Sequence, residues 1–212
     1  MDIDLPDISN FRDTSDLFYI FFAILTVDVS VLFLTRYYKF GGENLNEWYD
    51  QFHILAVLAD VMIIFIGFLI TRYIYTSYFY ERFEWSPIYF IILLCIVQII
   101  HDLAFYFGVI KPIPTGHNEM MDLFKRYADD GGTRILGGDA LLMIGSAVVA
   151  MLYKYMPLHA FVSVSSIFTY AMPYILYTRN PYIAEERQRK ADLAKKEQQQ
   201  NTNKIDAYGR LV

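Results

Sequence analysis

A chain of 212 residues that is 55% apolar and 17% aromatic, with only 19% charged residues, is excluded from the disordered class. Its charges leave long windows nearly empty, which excludes a soluble domain of ordinary composition. The formal net charge of −5 comes largely from an acidic N-terminus and offers no footprint for nucleic acid.

Residues 1–16 are acidic and aperiodic, with Asp2, Asp4, Asp7, Asp13 and Asp16 against Arg12 alone. This strip predicts a mobile N-terminus. It lacks the basic start of a cleavable signal peptide, so the first span is expected to act as an uncleaved anchor. Span one covers 17–35 and ends in Arg36, Tyr37, Tyr38 and Lys39, an interface anchor. Gly41 and Gly42 turn the chain, and segment 44–50 places Trp48 and Tyr49 at headgroup level. Span two covers 53–71 and leaves through Arg72 and a run of tyrosines. Trp85 and Pro87 open span three, 87–110, which holds the single cysteine, Cys95. One cysteine excludes an intramolecular disulfide.

The loop that follows predicts a helix over 118–130, capped by Asn118 and stopped by Gly131 and Gly132. Met120, Met121, Phe124, Tyr127 and Ala128 share one side; Glu119, Asp122, Lys125, Arg126 and Asp129 fall largely on the other. Two arrangements are open. The helix lies on a membrane surface, with Phe124, Tyr127, Lys125 and Arg126 at the interface, or it packs on the bundle. Span four, 135–153, carries Gly137, Gly138, Gly145, Ser146, Ala147 and Ala150, small residues that let helices approach closely. No phosphate-binding glycine spacing occurs. Span five, 158–177, contains Pro173, expected to kink it. The polar tail 179–212 predicts a charged helix over 182–197 and disorder over 198–212. Each span meets the requirement of about 20 residues at about 1.5 Å rise.

Arg12, Arg72, Arg82 and Lys154 fall on one side of these spans and the remaining bases on the other. The positive-inside rule then predicts an outside N-terminus and a cytoplasmic tail.

Four of the five spans carry an aspartate: Asp28, Asp60, Asp102 and Asp139. Counted from the tail-side ends, the first three lie roughly 10–12 Å deep and the fourth roughly 6 Å. A carboxylate near mid-bilayer costs about 2.5–3.5 kcal/mol on insertion scales, so four at one level are a functional signal. Gln98, His101 and Asp102 form a polar stripe that should face other helices. The layer admits three readings. It binds a cation through carboxylate oxygens; it relays protons; or it is structural, with protonated acids, pairs to Arg36 or Lys111, or interhelical hydrogen bonds. The histidines His53, His101, His117 and His159 show no paired metal-ligand spacing. Ser163, Ser165 and Ser166 lack a nearby histidine, and span five lacks a lysine for retinal. No cofactor or catalytic residue is expected.

The stretch 101–145 reads HDLAFYFGVIKPIPTGHNEMMDLFKRYADDGGTRILGGDALLMIG. Its His101 and Asp102, its Lys111-Pro112-Ile113-Pro114 turn, its Asn118 helix with Phe124, Lys125, Tyr127 and Ala128, and its Asp139 resemble multi-spanning membrane proteins of nucleocytoplasmic large DNA viruses of algae and protists. The resemblance covers about a fifth of the chain. It implies a protein of the virion's internal membrane or of infected-cell membranes, and no catalytic role. The expectation is an all-α, five-span membrane bundle that is not an enzyme. Its tail and its 118–130 helix would contact lipid headgroups, or a partner such as another membrane protein or a capsid protein. The alternative is a small cation or proton channel or transporter using Asp28, Asp60, Gln98, His101, Asp102 and Asp139.

Overall fold

The computed structural model describes residues 5–38, 40–131 and 133–178, with the helical pairs 188–189, 192–193 and 195–196. The chain divides into units 1–177 and 178–212. Apart from those pairs, the helix expected over 182–197 and the disorder expected over 198–212 lie outside the described residues.

Among the described residues every regular element is helical. Helix α1 is Asp16–Tyr38, α2 Gly42–Phe52, α3 Ile54–Phe83 and α4 Pro87–Ile110. Helix α5 is Glu119–Gly131, α6 Thr133–Tyr155 and α7 Leu158–Leu176. Five of them, α1, α3, α4, α6 and α7, are long and apolar enough to cross a membrane. The architecture is an all-α multi-pass membrane bundle.

Local chemistry sets the helix ends. Ser86 caps α4 by accepting the Tyr89 N–H at 3.5 Å, with Pro87 at the first helical position. Asn118 caps α5, its Oδ1 accepting from Met120 at 3.0 Å and Met121 at 3.2 Å. Helix α3 runs well past the expected residue 71, because a π-helical turn at Tyr75–Phe79 carries it on to Phe83. A second π-turn, Tyr106–Ile110, ends α4.

Helices α1, α3, α4 and α6 close a ring in which each packs on the next, and α7 lies against α1 outside it. The α1–α6 contact is the most extensive. Small residues make it so: Ser146, Ala147 and Ala150 are buried, and a Cβ at Gly145 would stand 3.5 Å from Val27. Gly137 and Gly138 face open space and contribute nothing to this approach. Thr26 and Tyr153 share a buried hydrogen bond of 2.7 Å across the same interface. Such interhelical bonds contribute about 0.6 kcal/mol and fix register. Outward-facing positions stay apolar: Leu55, Leu58, Met62, Ile66 and Ile70 form an exposed stripe along α3 at helical spacing. Core and surface are both apolar, as a lipid-facing bundle requires.

Residues 5–15, expected to be mobile, pack over the N-terminal end of the bundle. Ile8 and Ser9 are buried. Trp85 Nε1 donates to the Leu5 carbonyl at 2.8 Å and Thr76 Oγ1 to that of Ser9 at 2.9 Å. The physical cause is a pair of cations at this end that need oxygens. Arg72, fully buried, donates to the carbonyls of Asn10 and Asp13 and lies 3.5 Å from Asp16. Lys154 meets Asp16 at 2.6 Å and the Asp7 carbonyl at 2.6 Å. Asp13, just before α1, is held below the usual carboxylate range by the hydroxyl and then the amide of Ser15.

Candidate functional site: an acidic chamber

Asp28 comes from α1, Asp60 from α3, Asp102 from α4 and Asp139 from α6, one from each helix of the ring. Asp28 is 1% exposed and the other three are half-buried. Asp28 interacts electrostatically with Asp60, and Asp139, across the ring from Asp60, interacts with both Asp60 and Asp102. The four acids are therefore linked in one chain of neighbours, Asp28 to Asp60 to Asp139 to Asp102. No three His, Cys, Asp or Glu side chains among the described residues come close enough to share a metal ion.

The partners of these acids are few. Tyr49 OH reaches Asp28 Oδ1 at 3.4 Å, and Asp28 Oδ2 is buried with no partner. Trp48 Nε1 donates to Asp60 Oδ2 at 3.0 Å. Gln98 Nε2 donates to Asp102 Oδ1 at 2.7 Å, and His101 Nδ1 lies 3.2 Å from the same oxygen. Asp102 Oδ2 is buried without a partner. The polar stripe of α4 thus holds together as its spacing predicts. Neither base proposed for pairing meets the layer. Arg36 pairs with Asp50 at 2.5 Å, and Lys111 sits 5.5 Å over the Phe107 ring.

Gly67, two turns beyond Asp60 on α3, forms the floor. A Cβ there would stand 2.5 Å from Met143 Cε and 3.5 Å from Gln98 Oε1. Glycine lets α4 and α6 bring these side chains to the centre. Gly67→Val is expected to destabilise the protein by about 1–3 kcal/mol through overpacking. Adding Met143→Ala should recover part of that loss, because the two sites are in contact. Chemical unfolding in detergent measures both, and an unchanged Gly67→Val midpoint would refute this packing.

Helices α2 and α5 form the roof. Trp48 is 5% exposed and packs with tilted rings, centroids 4.9 Å apart, on both Phe52 and Phe124. Its indole N–H finds the Asp60 carboxylate, so this side chain, expected at headgroup level, is buried within the protein. Of the two arrangements open for α5, the structure shows the packed one. Leu123 is buried, Phe124 meets Trp48, and Lys125 donates to the Ile113 carbonyl. Arg126 pairs with Glu47 at 2.7 Å, an exposed bridge that contributes about 0–1 kcal/mol. Tyr49 and Tyr127 lie outside the spans, and both phenols are pushed up, first by burial. Asp28 and Asp60 add to the shift at Tyr49, and Asp139 and Asp60 at Tyr127. The two roof phenols therefore share one acid, Asp60.

A clamp holds α2 in place. Arg36 donates to Asn46 at 2.6 Å, to Asp50, and to the Leu176 carbonyl at 2.9 Å, tying α2 to the ends of α1 and α7. Positive-φ backbone marks both ends of α2: Gly41 at φ 72° before it and Gly42 at φ 78° as its first residue, and His53 at φ 50° after it. His53 stacks on Tyr177 at 5.3 Å. Sequence reasoning did not reach Asp50, Gly67 or Met143 as parts of the site, and it offered Arg36 as a partner of the layer, not as the clamp on α2. The one local signal was α2's own pattern, with Asn46, Trp48 and Tyr49 on its buried side.

Comparisons with protein-family models, curated proteins and solved structures find no match.

Proposed function

We propose that this is a non-enzymatic multi-pass membrane protein that takes up a proton or small cation in the acidic chamber and passes it across the membrane. One observation carries this reading. Four carboxylates from four ring helices face one interior, with no Lys or Arg paired to any of them among the described residues. A charge taken out of water without a partner costs several kcal/mol. A proton or a small cation taken up from outside would neutralise the layer. By the positive-inside rule the roof lies on the cytoplasmic side. The resemblance of 101–145 adds a virion or infected-cell membrane as the setting.

Purified protein in sealed vesicles tests the proposal. Under imposed gradients of H⁺, Na⁺, K⁺, Mg²⁺ and Ca²⁺, the wild type should dissipate at least one faster than empty vesicles. The double variant Asp28→Asn, Asp60→Asn should not. Wild-type rates equal to empty vesicles for every ion would contradict transport.

A further inference from the structure

We infer that the species taken up is the proton, received by the Asp28 and Asp60 pair beneath Trp48 and Tyr49. This rests on the reading of the chamber as a small-ion site. The groups turned on the acids decide between a proton and a metal cation. A hard cation needs a cage of about six or more oxygens with free lone pairs. The chamber offers the opposite chemistry. Trp48 presents N–H to Asp60, Gln98 presents N–H to Asp102, and Tyr49 presents O–H to Asp28. Each of these places a hydrogen where a cation would need an oxygen lone pair. The floor adds Gly67 and the Met143 methyl, which bring no side-chain oxygen, beside the amide oxygen of Gln98. No three metal-ligating side chains meet among the described residues.

A proton needs only one lone pair, and one is present. Asp28 Oδ2 is buried and without a partner, on a side chain 1% exposed. Uptake forms one O–H bond on a carboxylate of the pair and removes one negative charge from the chamber; release to water reverses both. The charged and titratable groups facing this pair come from every packed element. Tyr49 of α2, Tyr127 of α5 and Asp139 of α6 interact with the pair directly; Arg36 of α1 reaches it through Tyr49, and Asp102 of α4, with His101 against it, through Asp139. Trp48 bonds directly to one member of the pair, so its indole should report the proton.

The chain has two tryptophans, and Trp85→Phe leaves Trp48 as the single emitter. Emission is followed against pH at fixed ionic strength, then against Na⁺, K⁺, Mg²⁺ and Ca²⁺ at fixed pH. A second measurement needs no tryptophan variant: infrared difference spectra of the wild type between two pH values read the carbonyl stretch of a protonated carboxyl. The inference expects emission to shift with pH and not with any metal ion, and this response to be lost in Asp28→Asn, Asp60→Asn. It also expects a protonated-carboxyl band that disappears in the same double variant. A signal that answers to a metal ion at fixed pH would overturn the proton and leave the small-ion reading standing. Signals flat to pH and to every cation would overturn both.

Discussion

Arg72→Ala is expected to destabilise the protein by about 3–5 kcal/mol, the cost of breaking a buried ion pair and leaving its partner charged. Arg72 is fully buried and binds three oxygens, the carbonyls of Asn10 and Asp13 and the carboxylate of Asp16. Alanine takes the Arg72 donor from the Asp13 carbonyl and leaves that of Asn10 only the Asp13 N–H, gives Asp16 only Lys154 as a counter-charge, and opens a cavity besides. The effect should be local as well as global. Residues 5–15 lose the group that fastens them to α3 and should become open to protease ahead of α1. Unfolding in detergent gives the first quantity and limited proteolysis the second. Arg12→Ala, at an exposed position nearby, serves as the comparison and should change neither. A stable Arg72→Ala protein with a protected N-terminal segment would show that this cluster does not fasten it.

Arg36→Met is the second large effect, and it acts at the other end of the bundle. Methionine keeps most of the side-chain length but removes every hydrogen bond of the clamp. Asp50 is about a third exposed and can turn to water, whereas Asn46 is buried. The expected loss is therefore smaller, about 2–3 kcal/mol, in the range of hydrogen bonds to a charged group. The stronger signature is where the loosening appears. Helix α2 should exchange its amide hydrogens much faster than α3, because the clamp fastens the roof and not the ring. Uniform exchange across both helices would mean that α2 is held by its aromatic contacts alone.

How much of this was legible in sequence differs by element. The five spans were, because long apolar windows need no partner to be recognised. The placement of Asp28, Asp60, Asp102 and Asp139 on four of those helices followed from the same windows. Their common orientation did not, because α3 is apolar on its core face and on its lipid face, which hides helix rotation. The acids themselves were the better guide, since ionisable groups in spans turn to the interior. Residues 5–15 were misread because their order depends on Arg72 and Lys154, far away in sequence. The burial of Trp48 was not legible because an indole N–H suits a headgroup and a carboxylate inside the protein equally well. The α5 helix kept two readings for a related reason. An amphipathic face fits a membrane or a bundle, and only the position of Trp48 decides between them.

A ligand site in the acidic layer makes the stability of the fold depend on that ligand. Thermal unfolding of the purified protein tests it most directly, across pH and across Na⁺, K⁺, Mg²⁺ and Ca²⁺, for wild type, Asp28→Asn and Asp60→Asn. A ligand held only by the folded state adds about 2.7 kcal/mol at a hundred times its dissociation constant. A folded chamber that binds a proton the unfolded chain releases loses stability as pH rises. Above about pH 5 ordinary carboxylates are already ionised, so the difference between wild type and variants isolates the layer there. The account predicts a wild-type midpoint that falls with rising pH in this range, a weaker response in each variant, and no stabilisation by metal ions. Superimposable profiles for all three proteins, flat to every ion, would contradict it.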